Sequence, residues 1–227
     1  MTNGSFEMRN LICSKTLSWA VIWITITGLS NLFLIPNGFT YTKEPFVISL
    51  FFLTAAGFGA EKYKLIKKPY FYNFPTKQTL TILLLAFFFF SLSQLLKQAT
   101  PLPSTSSIHL TEEKLQLPEF SYSFWISKFS EIVFQQTFIL GLINLLTNKI
   151  GNKRSVIHSF ALFFTMIHLP LLFILGWSAF YFIIPSFFAG YVFSGLILKN
   201  KNGIIFSYAL HMAFYVLLGT FLRIRMM

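Results

Sequence analysis

The chain has 227 residues, of which 55% are hydrophobic, 19% aromatic (30 are Phe) and only 11% charged. That charged fraction is about half of what a soluble globular domain carries, so a water-soluble fold is excluded. The formal charge is +11, yet the basic residues lie in short connectors between apolar runs, a pattern that fits positive-inside membrane topology and not a nucleic-acid partner.

A bilayer crossing needs about 20 apolar residues as a helix. Run length predicts seven spans, at roughly 16–36, 45–60, 78–96, 124–147, 157–174, 177–197 and 203–222. The fold class expected is therefore all-α, a polytopic transmembrane bundle of about seven spans. Residues 1–123 hold the N-terminal spans and a polar outer loop, and 124–227 form a second, core unit.

The first run follows Arg9 and Lys15 and resembles a signal peptide, but no small-residue cleavage site follows it. It reads as a retained span. Cys13 is the single cysteine, so no intrachain disulfide is possible. The second run is short for a crossing. It either extends back through "NGFTYTKEP" or lies tilted or re-entrant.

The connector 61–77 mixes lysines with Tyr and Phe. Both residue types favour the headgroup zone, so membrane lipids, anionic ones above all, are the expected partners there. The stretch 97–123 is rich in Pro and Ser and reads as an exposed loop, with one helical turn around "TEEKLQ". Ser186, Gly190 and Ser194 recur at four-residue spacing in the sixth span, a small-residue face for close helix packing.

With the amino terminus in the cytoplasm, twelve of the 18 Lys and Arg residues fall on the inner side. The expected location is the cell (inner) membrane, multi-pass. Arg223 and Arg225 then fall at the outer end of the last span and conflict locally with the rule.

Three spans carry polar groups that are expensive in hydrocarbon and so mark a site by default. The fourth holds Glu131, Gln135 and Gln136, the fifth His168, and the seventh His211. Too few further donors accompany the histidines for a metal centre, which wants three or four ligands. No metal or cofactor is expected.

The order and spacing of these residues resemble the three motifs of the CAAX-protease and bacteriocin-processing family, the glutamic intramembrane proteases. Phe164 and His168 match its Phe-x-x-x-His motif. His211 matches the histidine of the third motif, with Tyr215 where the family has Asn or Asp. The first motif, a Glu pair followed by Arg and Gly, reads here "QQTFILG": Gln135 and Gln136 replace the carboxylates, Leu140 the arginine, and Gly141 remains. The resemblance covers roughly 124–222. It implies a metal-independent endopeptidase fold in which the carboxylates and histidines activate water against a peptide bond.

Glutamine has nearly the shape of glutamate, but its amide cannot take a proton, and general-base catalysis needs a titratable group beside the water. Proteolysis is therefore expected to be impaired or lost. A binding role for a membrane peptide or transmembrane helix is expected instead, as in an immunity or regulatory factor. If the protein is active, His168 and His211 hold the water and Glu131 is the base, one helical turn from Gln135. The other reading of Glu131 is an ion pair with Lys128 at the outer interface, with snorkelling side chains. Tyr215 is either an oxyanion donor or a packing residue. A rival from another class is a transporter component or lipid-binding membrane protein.

Overall fold

The computed structural model describes residues 3–65, 76–100 and 120–226. Every regular element among them is a helix, as expected of apolar backbone that must satisfy its own hydrogen bonds in lipid. The turn expected around "TEEKLQ" lies outside the described residues.

The first helix, α1, spans Asn3–Gly28 and continues through a π-helical stretch, Leu29–Leu34, and a 3₁₀ turn, Ile35–Asn37. Gly38 ends it at φ 89°, a left-handed conformation that suits glycine. Helix α2, Pro45–Lys62, begins with a proline whose missing N–H is no loss in a first turn. The segment before it is a turn and does not extend the second span. Helix α3 is Thr76–Ala99.

Helix α4, Tyr122–Ile150, is the axis of the bundle. Ser121 caps it by accepting from the Phe124 N–H at 3.1 Å. It is the most buried of the spanning helices and packs against α2, α1, α3 and the C-terminal helices. Helix α5, Lys153–Met166, is followed by a short α6, Leu171–Leu175, and a 3₁₀ turn, Gly176–Ala179. Helices α7, Phe180–Lys199, and α8, Gly203–Met226, complete the fold. The main apolar core runs from Trp19 and Phe52 through Phe134 and Phe138 to Phe160 and Tyr208, and a small separate cluster joins Leu175, Ala179 and Ile183.

Six helical stretches are long and apolar enough to cross a membrane. One of them, 153–199, contains both the fifth and the sixth expected spans and folds into an antiparallel hairpin of α5 and α7. Its close seam is the small-residue face expected from the sequence. A Cβ on Gly190 would come within 2.7 Å of the Ala161 backbone. Ser186 and Ser194 are buried there and return their hydroxyls to their own helix, at the carbonyls of Ile183 and Gly190.

The fifth span departs from expectation. Its helix stops at Met166, after 14 residues or about 21 Å, short of a full hydrocarbon core. Beyond it the backbone bonds tighten, with His168 N–H on the Thr165 carbonyl and Leu169 N–H on Met166. Pro170 supplies no N–H, and Gly176 turns the chain at φ 56°. His168 consequently sits in a turn at the helix end.

Arg223 also departs from its expected setting. It is buried and caps the carbonyl end of α3, donating Nε to the Thr100 carbonyl at 2.8 Å and Nη2 to those of Lys97 (3.1 Å) and Thr100. The Phe120 ring lies 5.8 Å beneath the guanidinium. A cation against the negative end of a helix dipole is favourable, which accounts for a basic residue at that end of α8.

Candidate functional site

Gln136 is the central residue of α4, and Gln135 precedes it by about 100° of helical rotation. Neighbours on a helix face different partners, and here they join two separate polar clusters.

The first cluster is built on Glu131, one turn from Gln135. Its Oε2 accepts from the Tyr41 hydroxyl at 2.9 Å and from the Lys128 ammonium, and its Oε1 accepts from Gln135 Nε2 at 2.8 Å. The ion pair with Lys128 is present and buried, so its side chains do not snorkel. The two side chains are only 8% and 12% exposed. The ammonium lies 4.6 Å from the Tyr41 ring centroid and 4.5 Å from that of Tyr215, so aromatic faces replace water around the cation. Burial, followed by the Glu131 carboxylate, raises the Tyr41 phenol well above its ordinary range, which keeps it a donor.

The second cluster is neutral. The Ser207 hydroxyl donates to Gln136 Oε1 at 3.0 Å, which fixes the amide so that Nε2 faces His211 Nδ1 at 3.2 Å. With Nδ1 as acceptor, the proton of His211 belongs on Nε2. His168 has the opposite arrangement. Its Nδ1 lies 2.6 Å from the Phe164 carbonyl and must donate to it, which makes Nε2 an acceptor. One imidazole thus offers a donor and the other an acceptor.

Two cavities meet at these residues. One, of about 100 Å³, is lined by Glu131, Gln135, Lys128, Tyr41, His168 and Tyr215, with Asn31 from the π-helical stretch and Trp23 on its walls. The other, of about 210 Å³, is mostly apolar and opens between α7 and α8, with His168, His211 and Tyr215 at its base and Pro185, Phe188 and Val192 on its sides. His168, Phe182 and Tyr215 are common to both. Gln135 Oε1 is buried with no hydrogen-bond partner among the described residues, an acceptor left over beside the smaller cavity.

Glu131, Gln135, His168 and Tyr215 are therefore together, and His211 joins through the second cavity. Gln136 reaches neither cavity and acts on His211. Tyr215 stacks on His211 with centroids 5.5 Å apart, and Phe164 meets His168 edge to face at 4.8 Å. Leu140 lines a separate slot toward the other end of α4. Gly141 is a packing position, because a Cβ there would come within 2.7 Å of the Tyr63 ring. Among the described residues no group of three His, Cys, Asp or Glu is placed to hold a metal ion.

Sequence reasoning missed two members. Tyr41 sits in a turn with no periodicity to betray it. Ser207 is four residues before His211 on the same face of α8, a spacing that does carry the signal.

No family model, curated protein or solved structure matches this chain.

Proposed function

We propose that this multi-pass helical membrane protein is a CAAX-protease-like scaffold that binds a membrane peptide or the end of a transmembrane helix without cleaving it. The observation that carries this reading is the engagement of Glu131, the one carboxylate at the site among the described residues. Both its oxygens are taken by Lys128, Tyr41 and Gln135. Three of the carboxylate's about four acceptor sites are filled, so a water meets Glu131 only at the remaining lone pair of Oε1, beside Gln135. The two positions that the family resemblance assigns to carboxylates hold amides, which do not accept protons.

The paired cavities suit a peptide. The apolar cavity takes a side chain from the lipid side, and the smaller one offers an unsatisfied amide oxygen and an imidazole acceptor to backbone N–H groups. The second reading is an active endopeptidase with Glu131 as base, favoured by the fact that Glu131 and His168 line one cavity.

The test is to present the purified protein, in nanodiscs, with a panel of membrane peptides and to score binding and cleavage separately. The expected result is binding without products, weakened by Val192→Trp at the mouth of the apolar cavity. Products that disappear in both Glu131→Ala and His168→Ala would establish the active enzyme instead. No binding by any peptide would remove the peptide-binding role.

A further inference from the structure

A second polar site lies at the opposite end of α4 from Glu131, where α1, α2 and α4 meet. A cavity of about 550 Å³ is lined there by Lys15 and Ser18 of α1, by Lys62, Tyr63 and Lys64 at the end of α2, and by Asn144 of α4. This is within the range of small-ligand sites. Three lysines line it, and among the described residues no carboxylate does; the Lys62 ammonium also lies 5.8 Å from the Phe58 ring centroid.

The backbone at Lys64 points to a role for this side chain. The end of α2 is closed by two bonds, from the Leu65 N–H to the Ala60 carbonyl and from the Lys64 N–H to the Glu61 carbonyl, each 2.9 Å. This closure places the residue after the cap in the left-handed region, where glycine is usual. Lys64 occupies it at φ 53°. A side chain there is disfavoured relative to glycine, and such strain recurs at ligand sites.

A second, independent observation is the Tyr63 hydroxyl. Tyr63 is only 7% exposed and its oxygen has no hydrogen-bond partner among the described residues, although the residue lines the cavity wall. Burial pushes its phenol up to about 12, so it is a donor at any working pH. A buried donor with nothing to donate to calls for an acceptor.

The surroundings favour a lipid over a soluble anion. The cavity is at the same end of the bundle as the basic connectors 149–154 and 199–201, so it lies at headgroup level. An apolar slot of about 150 Å³, walled by Leu140, Ile143 and Ile197, shares Asn144 and Asn148 with it. Basic pockets between transmembrane helices bind anionic headgroups.

We infer that this cavity is a binding site for the phosphate headgroup of an anionic phospholipid, held by Lys15, Lys62 and Lys64 with an acyl chain directed toward the adjoining slot. This site is independent of the peptide-binding proposal and shares no residue with it.

The experiment uses the full chain in phosphatidylcholine nanodiscs with and without phosphatidylglycerol, reading the unfolding midpoint and, by native mass spectrometry, the lipid retained. Phosphatidylglycerol is expected to raise the midpoint and to remain bound. At about 1 kcal/mol per lysine, Lys64→Gly should retain roughly fivefold less phosphatidylglycerol. Its midpoint in pure phosphatidylcholine should not fall, since glycine suits the conformation. Lys15→Gln with Lys62→Gln should lose more. Retention at the wild-type level in both variants would overturn the inference. So would an equal midpoint shift from free glycerol phosphate, which would make the ligand a soluble anion.

Discussion

Gln135 and Gln136 are consecutive residues of one helix with the same side chain, and their surroundings are opposite in kind. Gln135 serves an ion pair: it donates to Glu131, which also holds Lys128 and Tyr41. Gln136 serves a charge-free triad with Ser207 and His211. A charge buried from water tolerates no missing partner, whereas a neutral amide loses only a hydrogen bond when one is removed. The two glutamines therefore predict different sensitivities from the same chemical change.

The largest effect is expected on the ionic side. Lys128→Met leaves Glu131 buried without its counter-ion and should cost about 3–5 kcal/mol. Adding Glu131→Leu should recover most of that loss, because the pair leaves together. Unfolding midpoints of the single and double variants in nanodiscs check this, and a double variant no better than the single would mean that Lys128 matters for shape and not for charge.

Tyr41→Phe comes next. It removes one donor from a carboxylate and should cost about 1.5–3 kcal/mol. The sign with pH follows from the raised phenol. The hydrogen bond is present in full below the ordinary tyrosine value of 10.0 and is lost only as pH rises through the higher folded value. The difference from wild type should stay level up to about pH 9. A penalty that shrinks between about pH 6 and 9 would contradict the assignment.

The smallest effect belongs to the neutral side. Ser207→Ala frees one end of the Gln136 amide and should cost about 0.5–1.5 kcal/mol. Its informative readout is nitrogen NMR of His211. The Nε2–H tautomer should lose its dominance once the amide is free to turn. Unchanged imidazole shifts would show that Ser207 does not set the tautomer.

These polar residues are legible in the sequence because hydrocarbon makes each of them conspicuous in an apolar run. The bundle is legible for the same reason, since long apolar runs admit only helices. Which partner each residue takes is not. Spacing along α4 puts Glu131, Lys128 and Gln135 in reach of one another, but Tyr41 arrives from a turn 90 residues away. The position of His168 past the end of α5 depends on how Pro170 and Gly176 bend the chain. In the orientation expected from the sequence Arg223 conflicts with the charge rule for loops, and its packing on the end of α3 gives a basic residue a reason to be there.

The pairing of Trp19 with Trp23 gives the smaller cavity its own optical gauge. The two indoles are 5.5 Å apart, and Trp19 is anchored by its Nε1–H to the Phe138 carbonyl at 2.9 Å. Trp23 lies on the cavity wall and packs on Phe134 and Phe164. With Trp125 and Trp177 replaced by Phe, the remaining emission comes from this pair. Any molecule that enters beside Glu131 then changes the medium around Trp23 and with it the emission of the pair. Occupancy becomes readable by light in this dye-free double variant, before any partner is known by name.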